Sequence, residues 1–256
     1  MNTRLPRMVP AILTTMVLVA CDEGSGPNSA EEALVTQDVA VAAAEATGDD
    51  IALMTSETDD AMDPALGSRC PRIGFKFRCA WRAFDDISLM RDVTFYDADG
   101  NEQDAYDADL TASINVVADF EGTRDRHGWT VVIERHRDVT VTGLAGQETE
   151  RTWSGTGNGL THRTNNADGE DVREYTMTAN TTVDDVVIAV PRAGTWPLSG
   201  TITREVTVEV IRGLEDPTTR QRTVIIEFNG TQFVTMTVNG ETFTLDLETR
   251  TIVEAT

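Results

Sequence analysis

From Asp92 onward the chain alternates apolar and polar residues with a period of two. Leu110, Ala112, Ile114, Val116, Ala118 and Phe120 interleave with Thr111, Ser113, Asn115 and Asp119, which predicts a strand with one apolar face and one wet face. The same alternation recurs in Trp129, Val131, Ile133; in Tyr175, Met177, Ala179; and in Ile202, Val206, Val208, Val210. It returns in Val224, Ile226, Phe228; in Val234, Met236, Val238; and in Phe243, Leu245, Leu247. Between the runs stand Asp99-Gly100, Asp168-Gly169, Asn229-Gly230 and Asn239-Gly240, dipeptides that accept positive φ in tight hairpins. No segment after residue 90 has a helical period. The pattern predicts an all-β domain, an antiparallel meander of about ten strands. Several runs exceed the usual strand of about 5 to 6 residues. Such strands must curl over their own apolar face or stack a second sheet on it, giving an up-and-down barrel or a strongly curved sheet, with a β-sandwich as the alternative.

Residues 22 to 68 follow no such pattern. They contain Gly24, Gly26 and Pro27, an Ala-rich acidic stretch, then Asp59, Asp60, Asp63 and Pro64, and no aromatic residue. A segment of this kind lacks the apolar surface to offset its ordering entropy. Glu31 to Ala46 has helix-forming composition, yet an isolated helix of that length is marginal in water. The segment is expected to be a flexible acidic spacer. Aromatics begin at Phe75, Phe77 and Trp81, which places the start of the β domain near Arg69.

The first twenty residues have their own logic. Arg4 and Arg7 precede an apolar run from Val9 to Ala20 broken by Thr14 and Thr15, the layout of an export signal and too short for a transmembrane helix of roughly 20 residues. The run ends in Leu18-Val19-Ala20-Cys21, and here the chain resembles bacterial lipoproteins at their lipobox. The resemblance implies that Cys21 carries a diacylglycerol, that cleavage precedes it, and that several acyl chains anchor the protein stably, since one chain binds only reversibly. The organisation expected is therefore a signal peptide at 1–20, a lipid-anchored tether at 21–68 and a β domain at 69–256, held outside the cytoplasm on the inner or outer membrane of a bacterial envelope. An exported chain with two remaining cysteines is expected to pair them, so Cys70 and Cys79 are read as a disulfide. Closing that short loop stabilises a fold by roughly 2 to 3 kcal/mol.

Charge narrows the partners. The formal net charge is −22, which argues against nucleic acid, whose phosphates demand clustered Lys and Arg, and against an electrostatic grip on anionic headgroups. The membrane partner is reached through the lipid on Cys21 alone. Aromatics make up 6% of the chain, too few to furnish both a core and the girdles of an outer-membrane barrel.

Candidate chemistry is sparse. His127, His136 and His162 are the only histidines, no G-x-S-x-G accompanies them, and no zinc spacing, P-loop or dinucleotide fingerprint occurs. No cofactor is expected. Asp97, Asp99, Asp104 and Asp107 form a calcium candidate, because calcium takes six to eight oxygens on a bendable loop; solvated carboxylates at a hairpin tip are the plainer reading. Arg135 and Arg137, flanking His136, form a basic island that could pair with carboxylates or meet an anionic ligand. Trp153, followed by Gly155, Gly157 and Gly159, could rim a cavity. Together these point to a non-enzymatic envelope lipoprotein whose β domain binds or supports. The alternatives are a barrel carrying a small apolar ligand, a secreted hydrolase and a calcium-dependent adhesion module.

Overall fold

The computed structural model describes residues 27–61, 70–82, 87–144, 148–169, 172–190, 196–213 and 219–253. Cys21 and the export signal lie outside the described residues. Among the described residues a single helix, α1 (Pro27–Ala61), is followed by β1 (Arg72–Ile73), β2 (Lys76–Arg82), β3 (Ile87–Asp97), β4 (Glu102–Gln103), β5 (Thr111–Arg126), β6 (Trp129–Thr142) and β7 (Glu150–Asn165). Then come β8 (Glu174–Ala189), β9 (Ser199–Arg212), β10 (Thr219–Glu227), β11 (Phe233–Val238), β12 (Glu241–Asp246) and β13 (Thr251–Val253).

All thirteen described strands belong to one antiparallel sheet in which neighbours in sequence are neighbours in space, apart from β4, a short flap on β3. The fold is all-β, as the alternation predicts. It is a strongly curved open sheet: β1 and β13 end the path and do not pair, so the barrel does not close, and among the described residues no second sheet forms a sandwich. Alternation is kept along most strands, as in β6, where Trp129, Val131, Ile133, Val139 and Val141 are buried and Val132, Glu134 and Asp138 are exposed. In β8 the phase reverses: Tyr175, Met177 and Val183 face in, then Val186 and Ile188 do. A bulge at Asp184–Val187, with Asp185 at φ 47°, supplies the extra residue. Leu110, expected in a strand, is 62% exposed in the turn before β5.

The turns follow the dipeptides. Asn239 and Gly240 take φ of 48° and 88° between β11 and β12, the geometry of a two-residue hairpin. His127 and Gly128 do the same between β5 and β6, at φ 49° and 78°. Cys70 and Cys79 form a disulfide, Cα atoms 4.7 Å apart, tying the chain before β1 to β2.

The spacer reading of residues 21–68 is corrected over their described part, 27–61. Pro27–Ala61 is a helix of 35 residues lying in the concavity of the sheet. Val35, Val39, Ala40, Ala43, Ala44, Ile51, Leu53 and Met54 are buried in the same core as the inward strand residues. The packed unit therefore includes α1 and does not start near residue 69. An isolated helix is marginal, but here burial of each large aliphatic side chain contributes about 1.5 to 3 kcal/mol that isolation denies it. Alanines on several sides let the sheet approach closely. Aromatics are unnecessary because the strands provide the partner surface.

Candidate functional site: an arginine-lined interior and a hollow outer face

The concave face of the sheet is studded with arginines. Arg91, Arg124, Arg135, Arg137, Arg163, Arg204 and Arg222 are all 8% exposed or less. Each takes the phase of an apolar strand position: Arg91 lies between Leu89 and Val93, Arg204 between Ile202 and Val206. Strand register puts Arg91, Ala118, Arg137, Gly157, Thr181 and Arg204 on one rung.

Buried guanidinium groups require partners. Helix α1 supplies them: Asp38, Glu45 and Asp49 recur on one side at spacings of seven and four, and Glu32 and Asp50 lie about 100° further round the helix. Asp50 accepts from Arg137 Nε at 2.8 Å and Arg204 Nη2 at 2.5 Å. Asp49 accepts from Arg135 at 2.7 Å, Arg124 at 3.1 Å and Arg250 at 2.9 Å. Glu45 lies 3.6 Å from Arg124, and Glu32 meets Arg220 and Arg222. Asp38 accepts from the Tyr175 hydroxyl at 2.8 Å, while Arg163 lies over the Trp129 ring at 4.2 Å.

The electrostatics follow from burial. Desolvation alone would raise Asp49, but Arg135, Arg124 and Arg250 outweigh it and hold the carboxyl below its usual range. For Asp38, burial wins over Arg173, Tyr175 and Arg163, and the carboxyl is raised. Burial pushes Arg91 and Arg204 down to about 10, in Arg204 against the pull of Asp50.

Room for these side chains comes from β7. A Cβ on Gly157 would stand 2.6 Å from Arg137 Cδ, and one on Gly159 would stand 2.9 Å from Arg135 Cγ. The glycines thus let both arginines lie flat across the neighbouring strand, with Arg137 Nη1 donating to the carbonyls of His136 at 2.9 Å and Asn158 at 3.3 Å. Trp153, at the other end of the same strand, is wholly buried and rims nothing, because it shares the inward phase with Val141 and Val186 beside it. Between helix and sheet there remains a gap of about 40 Å³.

The outer face differs. Across the middles of β5 to β9 it is hollowed into a groove of about 700 Å³. Two rungs floor it: Asp119, His136, Asn158, Asn180 and Glu205, then Glu121, Glu134, Leu160, Thr178 and Thr207. His136 Nδ1 lies 2.7 Å from Asp119 Oδ1. Glu121 and Glu134 stand directly opposite one another, both exposed.

The remaining predicted residues scatter. Asp97 Oδ1 accepts from the backbone N–H of Asp99 at 3.0 Å and of Asn101 at 2.8 Å, and these bonds with the Asn101 side chain hold its carboxyl below the usual range. Asp107 accepts from the Asp109 N–H at 2.9 Å, and Asp104 pairs with Arg72. Among the described residues no three His, Cys, Asp or Glu side chains gather as a metal site. His127 sits at a hairpin tip, and His162 lies 3.2 Å from Glu174 on the far half of β7, so the three histidines do not converge. The sequence reading missed the acids of α1 and the inward arginines outside 135–137. A signal existed, namely arginine at the apolar phase of a strand.

No family model, curated protein or solved structure matches the chain. No helix among the described residues is long and apolar enough to cross a membrane.

Proposed function

We propose that this chain is a lipid-anchored, non-enzymatic envelope protein whose outer groove receives a basic segment of a partner protein. The anchor is Cys21, on the strength of the lipobox-like Leu18-Val19-Ala20-Cys21. The first residue of α1, Pro27, follows Cys21 by six positions, a reach of at most about 20 Å at roughly 3.5 Å per residue. With α1 docked in the sheet, the domain is held against the bilayer instead of on a long spacer.

The observation that carries the groove is the pair Glu121 and Glu134. Like charges directly opposite on adjacent strands destabilise a sheet, and here Asp119 and Glu205 line the same groove. A cation from outside relieves that repulsion. The groove has no exposed aromatic for sugar stacking, and Leu160, 39% exposed, offers an aliphatic contact for a lysine or arginine stem. The inner face gives less support to carriage of a small apolar ligand, since α1 fills it and its lining is cationic.

The test is titration of a Lys/Arg-rich peptide into the purified full-length chain and its Glu121→Gln/Glu134→Gln variant. The variant is expected to be slightly more stable and to bind several-fold more weakly, with binding by the unmodified chain falling as salt rises. Undetectable binding, or equal affinity in both proteins, would overturn the groove reading. Labelled fatty acid that is incorporated equally after Cys21→Ser would overturn the anchor.

A further inference from the structure

We propose that the gap between α1 and the sheet is a binding site for a small inorganic anion, held by Arg135, Arg137 and Arg204. The gap has Ala42, Ala43 and Ala46 of the helix on one side and these three arginines on the other. Alanine leaves the space open. At about 40 Å³ it exceeds the roughly 10 to 15 Å³ that one water requires, so it admits a halide or compact oxyanion and excludes a peptide or lipid.

Two independent features call for negative charge there. The first is a count. Among the described residues, three guanidinium groups line the gap, Arg135, Arg137 and Arg204, and their ion pairs reach two carboxylates, Asp49 and Asp50. A buried cluster with surplus charge of one sign is costly, and nearby charges act strongly at low dielectric. A single anion offsets that surplus.

The second feature is a set of idle donors. Arg204 lines the gap, its side chain is 3% exposed, and only its Nη2 is engaged, by Asp50. Its Nε and Nη1 are buried without an acceptor among the described residues. Each unsatisfied buried donor is unfavourable, and a guanidinium fork is shaped to grip an anion by two N–H groups at once. Water could accept from these donors but would leave the surplus charge unchanged. The site lies on the opposite face of the sheet from the outer groove, with which it shares Arg135, Gly159 and Ala179 as lining.

The experiment uses the purified full-length chain in sodium gluconate, titrated separately with chloride, bromide and inorganic phosphate at constant ionic strength while the melting temperature is followed. A saturable rise with one of these anions is expected, since a ligand that binds only the native state stabilises by mass action. Which anion saturates at the lowest concentration distinguishes a halide site from an oxyanion site. Arg204→Met keeps the bulk of the stem without the donors, and in it the rise is expected to vanish. Identical melting in all salts would overturn the proposal in favour of water in the gap, as would an equal rise in the variant, which marks a general salt effect. Should Arg204→Met fail to fold, crystals soaked in whichever anion raised the melting temperature, bromide or phosphate, decide the matter through difference density in the gap. A peak between Ala43 and Arg204 supports the site, and its absence removes it.

Discussion

Arg137 of β6 donates from Nε to Asp50 Oδ1 of α1 at 2.8 Å, although 87 residues separate them in sequence. Arg204 converges on the same carboxylate from β9. The helix is thus bound to the sheet by buried charge as well as by apolar packing, and this arrangement sets the behaviour expected on mutation.

Replacing Asp50 with Ala leaves Arg137 and Arg204 without their common acceptor in an environment where both are 3% exposed. Loss of one partner of a buried pair costs on the order of 3 to 5 kcal/mol. Chemical denaturation should show a loss of that size in Asp50→Ala. A change below about 1 kcal/mol, the range of exposed ion pairs, would mean that the helix is not anchored there.

Gly157 is needed for space. Gly157→Ala puts a methyl group against Arg137 Cδ and the His136 carbonyl, and overpacking of this kind costs about 1 to 3 kcal/mol. In an Arg137→Ala background part of the clash disappears, so the two substitutions should be less than additive in a double-mutant cycle. Strict additivity would show that the close approach is not what requires glycine.

Acid sensitivity distinguishes two aspartates of the same helix. Asp49 is held below the ordinary carboxylate value of about 3.9, so its contribution is fully present above about pH 4 and is lost as pH falls through its lower, folded value. Asp38 is raised, so what it contributes is present below about pH 4 and is lost as pH rises through its folded value. Melting temperature measured from neutral pH to about pH 2 should therefore show Asp49→Asn less stable at pH 7, the deficit narrowing in acid. Asp38→Asn should be neutral or stabilised at pH 7. Matching profiles for the two variants would contradict the assignment.

Hydrogen exchange tests the placement of α1 directly. Amides from Ala43 to Met54, where nearly every side chain is buried, should be protected about as well as those of β6 and β9. A solvated spacer would exchange within seconds. Protection that falls off towards Pro27 while the middle of the helix holds would agree with the exposure of Ala30, Glu32 and Ala33.

Much of the sheet was legible in the chain. A period of two is a local property, so the inward faces of β6, β9, β10 and β11 and the tight hairpin at Asn239-Gly240 could be read residue by residue. Where a bulge inserts one residue, as at Asp185, the phase flips, and only the pairing of β8 with β9 shows it. The disulfide was legible too, because with Cys21 assigned to lipid Cys70 and Cys79 had no other partner.

The role of residues 27 to 61 was not legible. Read alone, an Ala-rich acidic segment without aromatics cannot bury enough surface to fold, and that reasoning holds for an isolated segment. Tertiary structure changed its surroundings, because the curved sheet offers an inner face whose arginines need the very acids that made the segment look solvated. Asp49 and Asp50 meet Arg135 and Arg137 across 86 and 87 residues, and no local pattern encodes a pairing of that span. The outer groove likewise depends on how long strands bend together. Sequence determined which residues face which way, since side-chain alternation is built into the extended backbone. Tertiary structure alone decided what each face meets, since charge neutralisation and close packing act between segments the chain keeps far apart.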